Sequence, residues 1–125
     1  MSADPYSAQV RELFAATAHA GIIEDGLVVR IEEQGIRVEL SATADGERIS
    51  ELRFRAWGCP HLIAAAEAFC AAYRGRRISN LSEFSASGLM QTLAVPVEKT
   101  GRILVLEDAV RSLWAAARES PESHS

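Results

Sequence analysis

Apolar and polar residues alternate along this chain with two different periods, and the change of period divides it into elements. Tyr6, Val10, Leu13, Phe14 and Thr17 recur at three- and four-residue spacing behind Asp4-Pro5, a capping aspartate followed by a first-turn proline. A first helix is therefore predicted from there to about Gly21. From Leu27 to Trp57 the period falls to two: Leu27, Val29 and Ile31, then Ile36, Val38, Leu40 and Ala42, then Leu52, Phe54 and Ala56 share one face, and charged residues hold the other. Gln34-Gly35 and Ala44-Asp45-Gly46-Glu47 supply turn chemistry between the runs, so a three-stranded antiparallel meander is predicted. Its outer Arg and Glu residues read as solvated cross-strand pairs.

After Trp57 the pattern becomes helical again. Pro60 to about Arg74 is apolar nearly all round, interrupted by Glu67, which predicts a buried helix laid on the sheet and ended by Gly75. Short pieces follow, Asn80 to Phe84 and then Gly88 to Leu93 with Ser87 as N-cap, stopped by Pro96. Ile103, Leu106, Val110, Leu113, Trp114 and Ala117 mark a last helix from about Ile103 to Arg118. One helix, three strands, then helices on one face of the sheet is an α+β layer arrangement. A single domain is expected over residues 1–118, with 119–125 a polar tail.

Composition narrows the function classes. Net charge is −4 and the arginines are scattered, apart from Arg74, Arg76 and Arg77, so a nucleic-acid partner is not expected. No apolar run is long enough to cross a membrane, and Met1 to Pro5 has neither the basic nor the apolar part of a secretory signal. A soluble, cytoplasmic protein is expected. Two cysteines exclude paired-motif zinc sites, and Cys59 and Cys70 would stand roughly 16 Å apart along one helix, too far to bridge. Cys70, among Phe69 and alanines, reads as a small buried hydrophobe. His19 reads as a surface residue near the end of the first helix.

Cys59 is different. Gly58 permits a bend after the strand, Pro60 suits the first helical position, and Cys59 between them becomes the N-cap. A thiol there meets the positive end of the helix dipole and unpaired amides, so its thiolate is favoured. No serine-histidine-acid arrangement, phosphate-cradling glycine loop or acid pair suited to general acid-base work accompanies it, and an independent enzyme is not expected.

Tyr6-Ser7 in the first helix, Arg53-Phe54-Arg55-Ala56-Trp57-Gly58-Cys59 leading into an alanine-rich helix, and Glu107-Asp108-Ala109 in the last helix occur in an order that resembles the NifU/IscU-type iron-sulfur cluster scaffolds. The resemblance runs from about Pro5 to Ala117. It implies a SufE/NifU-like fold, assembly of a two-iron, two-sulfur cluster, and a cysteine desulfurase or other assembly proteins as partners. It also implies a ligand set of three cysteines helped by an aspartate and a histidine. The middle cysteine falls on Cys59, the first on Glu33, the aspartate on Gly35, and the histidine-cysteine pair near Thr100-Gly101. The family's chaperone-recognition segment would correspond to Ala94-Val95-Pro96-Val97-Glu98, which keeps one proline and carries a glutamate in place of lysine.

A cluster of this size needs about four soft or imidazole ligands, and carboxylate is a hard donor, so an isolated protomer is not expected to hold one stably. Four readings remain open. The chain is a degenerate assembly scaffold with one reactive thiol at the ancestral pocket; or a persulfide acceptor using Cys59; or a single-metal site, zinc or iron, on Cys59, His61 and Glu33 or Glu98; or a protein-interaction module. Against the metal reading, His61 is otherwise a half-exposed residue in the first turn of its helix.

Overall fold

A computed structural model describes Ala8, residues 17–97 and residues 100–119. Ala8 is helical; the rest of the predicted first helix up to residue 16, Glu98, and the tail after Glu119 lie outside the described residues. Three strands, β1 (Leu27–Glu33), β2 (Ile36–Asp45) and β3 (Arg48–Trp57), form an antiparallel sheet in the order β1-β2-β3. The first turn is a two-residue hairpin closed by the Glu33–Ile36 pair, with Gln34 at φ 51° and Gly35 at φ 80°. Successive left-handed residues match the right-handed twist of the flanking strands.

Register puts the greasy positions in line: Val29, Leu40 and Phe54 run across the sheet, as do Ile31, Val38 and Ala56. Between Thr43 and Ala44 the ladder slips by one residue, because Ala44 faces Ile49 while Thr43 faces Glu51. The bulge turns Ile49 inward, where it is buried, and leaves Ser50 outside.

Helix α1 (Pro60–Tyr73) packs on β3, and α3 (Thr100–Glu119) packs on β1 and β2. Between them come a 3₁₀ turn (Ile78–Glu83) and α2 (Ala86–Thr92). Leu40, Leu52, Leu62, Phe69, Leu106 and Leu113 are fully buried, each contributing about 1.5–3 kcal/mol through lost apolar exposure. Among the described residues no helix is long and apolar enough to cross a membrane.

Four local expectations are corrected. The cap of α2 is Ser85, whose hydroxyl accepts from the Ser87 amide, so the helix starts before Ser87 rather than after it. Helix α3 begins at Thr100, three residues earlier than the apolar stripe implied, and takes Thr100 and Gly101 into its first turn. Glu39 is not a solvated partner. It accepts from Arg30 Nε (2.6 Å) and Arg55 Nε (2.8 Å), and the two guanidiniums cover its carboxylate on the outer face of the sheet. Burial alone would raise its pKa, but those hydrogen bonds and charges outweigh it and the net direction is down. Lastly, His19 is no simple surface residue: its amide donates to Glu67 Oε1 (2.8 Å) and its Nδ1 lies 2.5 Å from Glu67 Oε2, which is almost wholly buried in α1.

That clamp holds a short stretch against the edge of β3. The Phe54 amide donates to His19 O and the Gly21 amide to Phe54 O, so Ala20 bridges Phe54 in parallel. Further along the same edge the Ile49 amide donates to Arg76 O, and the Gly75 amide donates back to Ile49 O.

Candidate functional site

The polypeptide leaves β3 at Trp57, passes Gly58, and enters α1 with Cys59 as N-cap (φ −86°, ψ 166°) and Pro60 in the first turn. The Cys59 carbonyl accepts from the Leu62 and Ile63 amides, starting the helix. The bend does not need glycine for its dihedral, since Gly58 is not at positive φ. It needs glycine for space: a β-carbon there would stand 2.7 Å from Leu62 Cδ2, and Leu62 is fully buried.

Cys59 is half-buried and reduced. Its side chain closes no capping hydrogen bond. Partial burial would raise its pKa, yet the Arg102 guanidinium beside the sulfur and the backbone amides of Leu62 and His61 favour the thiolate more strongly, and the pKa is lowered. Cys70 goes the other way. Burial first, and the nearby Glu67 charge second, push its thiol far above the ordinary range.

Arg102 was not among the residues singled out from the sequence, although a signal was there. A cation in the first turn of a helix opposes the macrodipole, so Arg102 at the start of α3 is placed against local preference. Its effect on another element is to favour the ionised form of Cys59.

Arg102 also lines a hollow of about 710 Å³ between the β1–β2 turn and α3, together with Glu33, Gln34, Ile36 and Gly101. Glu33 and Gly101 are thus brought to one place, and Cys59 does not line it. His61 is not brought there. It is 1 % exposed, turned into the protein from the first turn of α1, which corrects the half-exposed position expected of it. Among the described residues no three of His, Cys, Asp or Glu converge as a metal ion requires. Among the described residues, the groups this end of the protein offers are the Cys59 thiol, the exposed Glu33 carboxylate and the Arg102 guanidinium, of which the thiol alone is a soft donor.

The chain matches the family described as NifU-like N terminal domain over residues 5–117. Comparison with curated protein sequences finds no match. Among solved structures, it is similar to a candidate iron-sulfur cluster assembly scaffold protein for the SUF system from Fervidobacterium islandicum AW-1, with TM-score 0.59 and 19% identity over 90% of this chain and 86% of that one. A nitrogen-fixing NifU-like protein (N-terminal) from Brucella abortus gives TM-score 0.57 and 11% identity, covering 89% and 81%. A hypothetical protein gives TM-score 0.54 and 19% identity, covering 88% and 94%. At these identities the structures speak for the fold, an α+β sheet with helices on one face.

Proposed function

Because the chain belongs to the NifU-like N-terminal domain family, we propose that it serves iron-sulfur cluster assembly as a scaffold-like protein whose pocket has been reduced to one reactive thiolate, Cys59, which accepts sulfur. The observation that carries this reading is a free, half-buried thiol at the N-cap of α1, whose ionised form Arg102 favours. A cation there favours an anion, whether thiolate or the perthiolate formed from it, and disfavours the metal ions that a ligand set would gather. The role is that of a stoichiometric carrier, not a catalyst.

The transfer is a thiol exchange at sulfur. The Cys59 thiolate attacks the terminal sulfur of a persulfide on a cysteine desulfurase. A new sulfur-sulfur bond forms on Cys59 as the donor's own breaks, and the donor cysteine leaves as thiolate. The sulfane sulfur changes owner without external oxidant or reductant. Geometry supports the step at Cys59, a half-buried thiol at the N-cap of α1, and speaks against it at Cys70, which is buried.

The test is intact-mass and peptide mass spectrometry after incubation with a cysteine desulfurase and cysteine. A gain of one sulfur atom on Cys59, absent in Cys59→Ser, is expected. An unmodified Cys59 after the desulfurase has demonstrably turned over would defeat the proposal. In parallel, anaerobic incubation with iron and sulfide is expected to leave the isolated chain without stoichiometric cluster absorption.

A further inference from the structure

Trp57 closes β3 two residues before Cys59, and 44% of its surface is exposed. Arg37 faces it across the ladder with its guanidinium carbon 4.8 Å from a ring centroid, and the Arg55 guanidinium lies 5.6 Å from a ring centroid. Two cations stacked on one indole hold it in place, so the three side chains form a pre-shaped platform rather than a loose apolar spot. Tryptophan and arginine are also the residues that most often dominate binding energy at protein interfaces.

The charge around the platform is specific. Arg55 shares the covered Glu39 carboxylate with Arg30, and Arg37 has Glu32 at 3.8 Å. Three guanidiniums against two carboxylates leave this end of the outer face positive on a chain whose total is −4. Beside Trp57 a shallow hollow of about 330 Å³ opens between Ala20, Gly21, Ala56 and Ile63. Its walls suit one apolar side chain. At about 3.3 Å of rise per residue, Trp57 stands some 7 Å from Cys59 along the chain.

We infer that the Trp57, Arg37 and Arg55 platform is the docking surface for an acidic patch on the protein that donates sulfur to Cys59. Positive charge on an otherwise acidic molecule selects an anionic partner and orients it, since complementary potentials steer encounter and fix register. The partner's carboxylates meet Arg37 and Arg55, an apolar side chain between them enters the hollow, and its persulfide is presented to the helix cap next along the chain. The inference rests on the proposed sulfur-acceptor role of Cys59.

The experiment follows sulfur transfer from a cysteine desulfurase to Cys59 by mass spectrometry, for the wild type, Trp57→Ala and Arg37→Glu, at low and raised salt. Alkylation of Cys59 by iodoacetamide, a small neutral probe that needs no docking, is measured alongside. Transfer is expected to slow by about tenfold or more in each variant with alkylation unchanged. Wild-type transfer is expected to fall steeply with salt, and Arg37→Glu to lose that dependence. Thermal melts confirm folding, with Arg37→Gln as the milder replacement. Transfer within about twofold of wild type in both variants would overturn the docking inference alone. No transfer to the wild type, with alkylation intact, would overturn the sulfur-acceptor role and take this inference with it.

Discussion

The Arg102 side chain, from the first turn of α3, favours the ionised form of Cys59 at the cap of α1, so a residue of one helix acts on the thiol that opens another. A group that prefers its charged form ionises at lower pH. The alkylation rate of Cys59 should therefore rise with pH through an inflection below that of an ordinary cysteine, about 8.5. Arg102→Gln should move the inflection upward, with the limiting rate at high pH little changed. Superimposable pH-rate profiles for wild type and variant would show that the guanidinium does not act on the thiol.

The two cysteines should be separable by exposure. Native chain treated with excess iodoacetamide is expected to take one label, on Cys59, and a second on Cys70 only in denaturant, as read by intact mass. Linkage signs differ as well. Cys59, depressed on folding, adds stability that is full above the unfolded value and fades as pH falls through its folded value; Cys70, raised, removes stability as pH climbs past the unfolded value. The two act on opposite sides of the ordinary thiol pKa, Cys59 below it and Cys70 above it, and labelling reads each sulfur directly.

Glu67 should be structural. Its carboxylate satisfies both the amide and the ring of His19, forty-eight positions away in sequence. Glu67→Ala leaves that amide without its partner and opens a small void, and about 2 kcal/mol of stability should be lost in urea titration. A midpoint equal to that of the wild type would mean that the clamp contributes nothing.

Gly58→Ala should act through packing. The added methyl displaces Leu62, whose amide helps to start α1 and to favour the Cys59 thiolate. A loss of about 1–3 kcal/mol is expected, together with slower alkylation of Cys59 near neutral pH. Unchanged stability would show that the Leu62 side chain yields freely.

The strands were legible because period-two alternation ran through Leu27–Ile31, Ile36–Ala42 and Leu52–Ala56, with turn residues between. The bulge was not, since Ile49 and Ser50 fit either face until Thr43 fixes the register. The cap of α2 was misplaced by two residues because Ser85 and Ser87 are chemically alike, and only the hydrogen bond between them assigns the roles. At the site, Cys59 could be read from its neighbours Gly58 and Pro60, all of them local. Arg102 and Glu67 act on residues more than forty positions away, and His61 turns inward because Pro60 and the cap set the phase of the helix; none of these follows from a window of adjacent residues.

Two stretches of main chain, around His19–Gly21 and Gly75–Ile78, are stitched to the outer margin of β3. Among the described residues this leaves the seven residues of β1 as the rim to which no further stretch of main chain is bonded, and there Arg30 and Glu32 interrupt the greasy positions. Fibrillar stacking needs two open rims per molecule, one to recruit and one to be recruited. A chain with one rim already occupied by its own backbone can at most pair off, and so carries its protection against runaway polymerisation within its topology.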